Sequence, residues 1–212
     1  ADGLEQVERE EYKKAEQLAL FDEVAPRVEE TKSTLTRPEV RRALKPLVEQ
    51  GFHVVVGNPP YITEKDKGRK KYHREKIGMR RRYIPAYKQY SLASPFTERC
   101  FQVAVKHGHI GLITSNNFIK REFGKALITR VLAQKDLTKV ADTSGAFIPG
   151  HGTPTVIFFA RNQAPHKDKV LAIMGRKGEP TNPNDPSKGL VWTSILEGDG
   201  KVGFENEFIS VV

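Results

Sequence analysis

FHVVVGNPPYIT, Phe52 to Thr63, is an apolar strand-like run that ends in an unusual turn. The valines between two glycines read as a short strand buried on both faces, as in a parallel sheet. A chain that only had to turn would use Asn-Gly or Pro-Gly and omit the aromatic. Here two consecutive prolines fix two φ angles and remove two N–H donors. What remains is mainly acceptors: the Asn58 side-chain oxygen and the backbone carbonyls. In open parallel sheets, ligands sit beyond the carboxyl ends of the strands. A rigid acceptor pair there suits an amino group, such as the exocyclic amine of a base, and the ring of Tyr61 could stack on that base. Together these features describe a pocket for an extruded nucleobase. Four given residues in this order arise by chance in roughly one such chain in a thousand, so a plain turn explains them poorly.

The sequence around this stretch supplies the rest of a sheet. SPFTERCFQVAVKHG reads as a helix ending at Gly108, and HIGLITSNNFI as a second buried strand. REFGKALITRVLAQK reads as a helix, LTKVADTS as a third strand and TPTVIFFARN as a fourth. Alternating strands and helices argue for a parallel sheet with crossover helices. Only GAFIPGHG joins the last two strands, too short for a crossover helix, so that pair is expected to be an antiparallel hairpin. VLAIMG suggests one more strand and LVWTSILEG a short helix. Residues 3–33 read as a charged helix with a thin apolar stripe at Leu4, Val7, Leu18, Phe21 and Val28.

Composition narrows the partners. The chain has 212 residues, 38% of them hydrophobic, and a net charge of +9, a balance that suits a partner dense in negative charge. Cys100 is the only cysteine, which excludes an internal disulfide and an all-cysteine zinc site and suits a reducing cytoplasm. No apolar run approaches the roughly 20 residues of a membrane span.

The basic residues are concentrated. Glu64 to Tyr83 carries ten Lys or Arg against three acids, and five of the six tyrosines lie between Tyr61 and Tyr90. Lys65, Lys67, Arg69, Lys70, Lys71, Arg80, Arg81 and Arg82 are the candidate phosphate contacts, interleaved with aromatics able to stack on unpaired bases. A solvated loop would have a similar composition. His151, flanked by glycines, has no second ligand at zinc-like spacing, so no metal site is expected. The Gly-x-Gly matches GHG and GDG neither follow a strand nor open a helix, and they do not read as cofactor loops.

VVVGNPPYI resembles motif IV of the amino-group DNA methyltransferases, in the form found in adenine-N6 enzymes. SPFTERCFQVA followed by GHIGLITSNNFIKREFG is similar to motifs V and VI. VADTSGAFIPGHGTPTVIFFARN resembles motifs VII and VIII of the PglX-type methyltransferases of BREX phage-defence systems. The resemblance covers roughly residues 51–162. It implies an α/β chain with part of a Rossmann-like methyltransferase fold, acting on the adenine N6 amine of DNA with S-adenosylmethionine as cofactor. Asn58 and the Pro59 carbonyl would accept from the adenine amine and face the cofactor methyl. Pro60 would stiffen the turn, Tyr61 would stack on the base, and Phe147 would cover its other edge or face. Implied partners are DNA and other components of a BREX system, in the bacterial cytoplasm at the nucleoid.

One part of the family pattern is missing. The glycine-rich turn of motif I and the acidic strand end that follows it should precede Asn58, and only charged helical sequence does. The chain is therefore expected to be the substrate-side half of a catalytic domain, inactive alone, whose partner is the missing N-terminal half. The expected organisation is a helical lead-in at 1–51, a catalytic half-domain at 52–162 and an extension at 163–212 leading towards a target-recognition region. Two other functions fit the same residues: a non-catalytic nucleic-acid-binding module, and a methyltransferase acting on RNA or a protein amide.

Overall fold

The computed structural model describes residues 42, 43, 45, 46, 49–62, 83–150 and 152–212. The helix expected over 3–33, the basic stretch and His151 lie outside them. The chain divides into two units, Ala1–Gln50 and Gly51–Val212. In the first, the described residues are helical, and Lys45 pairs with Glu49 one turn on at 3.6 Å.

The second unit is built on one six-stranded sheet. Its strands are β1 (Phe52–Gly57), β2 (Ala104–Ser115), β3 (Asp136–Asp142), β4 (Thr155–Arg161), β5 (Leu171–Gly175) and β6 (Ile209–Val211), in the order β1-β2-β4-β3-β5-β6. β1 runs parallel to β2, and β3 parallel to β5. β4 lies antiparallel between β2 and β3, which makes β3–β4 the expected hairpin. The helices are α1 (Ala93–Val103), α2 (Asn117–Lys120), α3 (Lys125–Arg130) and α4 (Leu190–Gly198).

Strand alternation sorts the side chains onto two faces. On the first, Val55, Ile110, Leu112, Val156 and Phe158 pack against Cys100 and Phe101 of α1 and against Phe118, Leu127 and Leu132. On the second, Ala141, Ile173, Ile209 and Val211 meet Val191 and Ile195 of α4. That cover does not extend to the β1 end, where Val56 is 76% exposed and Val54 61%.

Three expectations need correction. β1 is not buried on both faces: it lies at the edge of the sheet, paired among the described residues only with β2, and Val54 and Val56 are exposed. Its valine run signals a strand but not how much of it is covered. The helix predicted to reach Gly108 stops at Val103. Asn162, at the end of β4, donates from Nδ2 to the carbonyls of Phe101 at 3.0 Å and Ala104 at 2.8 Å, satisfying groups that a helix end leaves unpaired. His107 then takes φ +67°, and Gly108 fits against the carbonyls of Val105 and Phe52, 2.9 and 3.0 Å from where a Cβ would lie. The single helix predicted over REFGKALITRVLAQK is three short pieces: 3-10 turns at Glu122–Gly124 and Leu132–Gln134 flank α3. Gly124 is pressed onto the Phe118 carbonyl, which ties that bend to α2.

Candidate active site

Parallel pairing brings the ends of β1 and β2 to one edge, and the antiparallel β4 starts there. Gly57 pairs with Leu112, Ser115 with Thr155, and Asp142 with Val156. The edge is tied across its strands. Asn116 N–H donates to the Pro154 carbonyl at 3.0 Å and Thr143 N–H to the Thr155 carbonyl at 3.2 Å. The two threonine hydroxyls meet at 2.7 Å.

Asn58 to Tyr61 leave β1 at this edge. Asn58 and Pro60 are exposed, Pro59 is buried, and Tyr61 is half-buried. Gly57 packs closely: a Cβ there would lie 3.4 Å from Leu112 Cδ2 and 3.9 Å from the Phe96 ring. The turn is thus seated on β2 and α1 while its amide faces outward. Tyr61 Oη donates to the Ile113 carbonyl in β2 at 3.3 Å. Burial holds its phenol above the usual tyrosine range, so it stays neutral and remains a donor. At 3.3 Å the bond is long for an O–H donor, so the ring contributes more than the hydroxyl. On the expectation that this ring stacks on a base, Tyr61→Phe should keep most base binding, and Tyr61→Ala should lose about 1–3 kcal/mol of it. Equilibrium titration with adenine-containing single strands checks this, and a large loss with Phe would contradict stacking.

Phe147 lies in the turn between β3 and β4, which opens with the Asp142 carboxylate accepting from Ser144 N–H at 2.9 Å. It lines an apolar cleft of about 270 Å³, together with Ile113, Ala146, Pro149, Pro186 and Trp192. Ile113 is the shared element: its carbonyl holds Tyr61, and the residue itself lines the cleft with Phe147. The fold therefore gathers Asn58, Pro59, Pro60, Tyr61 and Phe147 at one strand edge.

The basic residues Lys65, Lys67, Arg69, Lys70, Lys71, Arg80, Arg81 and Arg82 lie outside the described residues. The residues flanking that stretch are placed. Ile62 and Tyr83 pack on one small cluster of Ala86, Tyr90 and Leu92, and Leu92 N–H donates to the Ile62 carbonyl at 2.9 Å. Ile62 and Tyr83, the described residues on either side of that stretch, therefore meet on one cluster.

Cys100 is no part of this chemistry. It is 4% exposed, and burial pushes its thiol up to about 11. A thiol is a poor nucleophile when protonated, so an alkylating reagent at neutral pH should leave Cys100 unmodified until the chain unfolds. Mass spectrometry with and without denaturant checks this.

Sequence reasoning missed Ile113, Pro186 and Trp192. Ile113 looks like any strand residue until pairing puts its carbonyl opposite Tyr61. The signal for Trp192 was weak but present, since it is the only tryptophan in the chain.

The chain is similar to known proteins in sequence and in fold. The family model of Eco57I restriction-modification methylases matches residues 4–148. The adenine-specific methyltransferase PglX of Streptomyces coelicolor is 39% identical over 202 residues, covering 91% of this chain and 16% of its own length. The restriction enzyme and methyltransferase RM.Eco57I of Escherichia coli is 34% identical over 94 residues, 44% of this chain and 9% of that protein. The chain thus spans under a fifth of either relative. Among solved structures, a modification subunit of a putative type I restriction enzyme from Vibrio vulnificus has a TM-score of 0.53 at 14% identity, over 78% of this chain and 34% of that one. The DrdV–DNA complex gives 0.52 at 17% identity, over 64% of this chain and 16% of that one. At such identities these likenesses concern the fold, which is Rossmann-like and of the methyltransferase kind. The chain belongs to the Eco57I restriction-modification methylase family.

Proposed function

We propose that this chain carries the substrate side of an S-adenosylmethionine-dependent methyltransferase acting on the N6 amine of adenine in DNA, in phage defence of the BREX kind. The observation that carries the reading is the exposed Asn58 amide beyond β1, beside a tyrosine held on Ile113 and a cleft containing Phe147. Asn58 Oδ1 and the Pro59 carbonyl accept the two amine hydrogens and turn the nitrogen lone pair outward. Two fixed acceptors also favour the positive charge that grows on that nitrogen as its new bond forms. Holding the amine in line supplies most of the remaining rate.

The same edge fits the reactive end of the cofactor. The exposed Asn58 amide and the Pro59 carbonyl are oxygen acceptors, and oxygen acceptors tolerate a cationic methyl donor. S-adenosylmethionine, when bound, supplies an electrophilic methyl group. Asp142, an acid at a strand end, accepts from Ser144 within its own turn. Its carboxylate is thus engaged locally and is not assigned to the cofactor's ribose.

Duplex DNA, RNA of the same sequence and a glutamine-containing protein, each incubated with the native enzyme and labelled cofactor, test the substrate class. Label should enter DNA alone. Label in RNA or protein at comparable rates would contradict the assignment.

The basic stretch between Ile62 and Tyr83 in the sequence is proposed to hold the DNA backbone. Changing Lys70, Lys71, Arg80, Arg81 and Arg82 to Ala should weaken DNA binding about equally across sequences. The slope of log affinity against log salt should flatten by roughly 0.9 per lost phosphate contact. An unchanged slope would show that these residues do not touch phosphate.

A further inference from the structure

The far wall of the cleft comes from outside the strand-edge turns. Pro186, Ser187 and Trp192 form it, from the segment that follows β5 and the first turn of α4. One residue ties this wall to the turn opposite. Glu179 N–H donates to the Gly145 carbonyl at 2.9 Å. The Glu179 carboxylate accepts from the N–H groups of Leu190 at 2.6 Å and Val191 at 3.0 Å, where a helix start favours negative charge. Gly145 and Gly178 also meet backbone to backbone, with 3.1 Å between a Cβ position on Gly145 and Gly178 Cα. Trp192 is half-buried and packs against the second core.

We propose that Trp192 is a base-contacting wall of this site, and that the cleft between it and Phe147 takes one unstacked purine. The proposal rests on the methyltransferase reading and extends it to a segment outside the recognised motifs. A volume of about 270 Å³ lies just below the roughly 300 Å³ at which drug-sized pockets begin, room for one ring system. The polar groups at the cleft are already engaged: Thr143 with the Thr155 hydroxyl, and Ser187 with the Asp185 carboxylate. The cleft therefore recognises the face of a ring, while reading of its edge falls to Asn58 and the Pro59 carbonyl. It lies next to the Tyr61 anchor through Ile113, so a base entering one site reaches the other.

Because Trp192 is the only tryptophan, its emission reports directly on the cleft. The chain is titrated with single-stranded oligodeoxyadenylate and with an abasic strand of equal length, following tryptophan emission and, separately, the anisotropy of labelled strand. Oligodeoxyadenylate should change the emission saturably. The abasic strand should bind through its phosphates without that change. Trp192→Ala should weaken oligodeoxyadenylate binding on the order of ten-fold and leave the abasic strand unaffected, and Trp192→Phe should restore most of the loss. Equal emission changes with both strands, or unaltered oligodeoxyadenylate binding by Trp192→Ala, would overturn the proposal. If the Ala variant fails to fold, the wild-type comparison and the Phe variant decide. An absent change, with Asn58-dependent methylation in the native enzyme, would overturn the cleft and spare the methyltransferase reading. An intact change without methylation would do the reverse.

Discussion

Asn58→Ala should abolish methyl transfer while DNA binding survives. The side chain is exposed at the end of β1 and sits on a turn whose shape comes from Pro59, Pro60 and the close seat of Gly57 on Leu112. Removing the amide takes away one acceptor of the amine and leaves the scaffold intact. Loss of a preorganised electrostatic partner costs about 3 kcal/mol in the transition state, on the order of a hundredfold or more in rate. The acceptor matters most as the nitrogen becomes positive, so the loss should fall on kcat more than on KM. Single-turnover kinetics in the native enzyme, with DNA affinity measured in parallel, separate the two. Near-normal turnover would remove Asn58 from the chemistry.

The second large effect concerns folding. A Cβ on Gly124 would lie 1.8 Å from the Phe118 carbonyl oxygen and 2.4 Å from its carbon. Backbone atoms cannot yield as a flexible side chain can, so α2 and the 3-10 turn would have to separate. That disturbs Phe118 and Leu127, both in the core on the first face of the sheet. Gly124→Ala should cost about 3 kcal/mol, the upper end of ordinary overpacking. Gly152 is the control, because among the described residues nothing lies within 4 Å of its Cβ position. Urea unfolding should show a lowered midpoint for the first variant and an unchanged one for the second. Equal midpoints would mean that the contact at Gly124 relaxes at little cost.

Particular residues show what the sequence could tell. The strands were legible because Val54 to Val56, Ile110 to Ile113 and Val156 to Phe159 are dense in β-branched and aromatic residues at short length. The antiparallel β3–β4 pair was legible because GAFIPGHG cannot hold a crossover helix. The NPPY turn was legible because its four residues are chemically specific and local. What was not legible depends on distant partners. Asn162 ends α1 from 58 positions away at Ala104, and nothing near Ala104 announces it. Trp192 reads as part of a short helix, and it is the distant Glu179 that ties that helix to the Phe147 turn. The exposure of Val54 and Val56 was not legible in the valine run, which reads the same whether one face or both are covered.

Nucleoside analysis of DNA methylated by the native enzyme tests the central claim most directly. DNA is treated with wild-type enzyme or with Asn58→Ala, digested to nucleosides and separated by mass spectrometry. The acceptors of the NPPY turn predict N6-methyldeoxyadenosine from the wild type and its loss with the variant. Methylcytosine as the product, or N6-methyldeoxyadenosine at equal yield from the variant, would contradict the account.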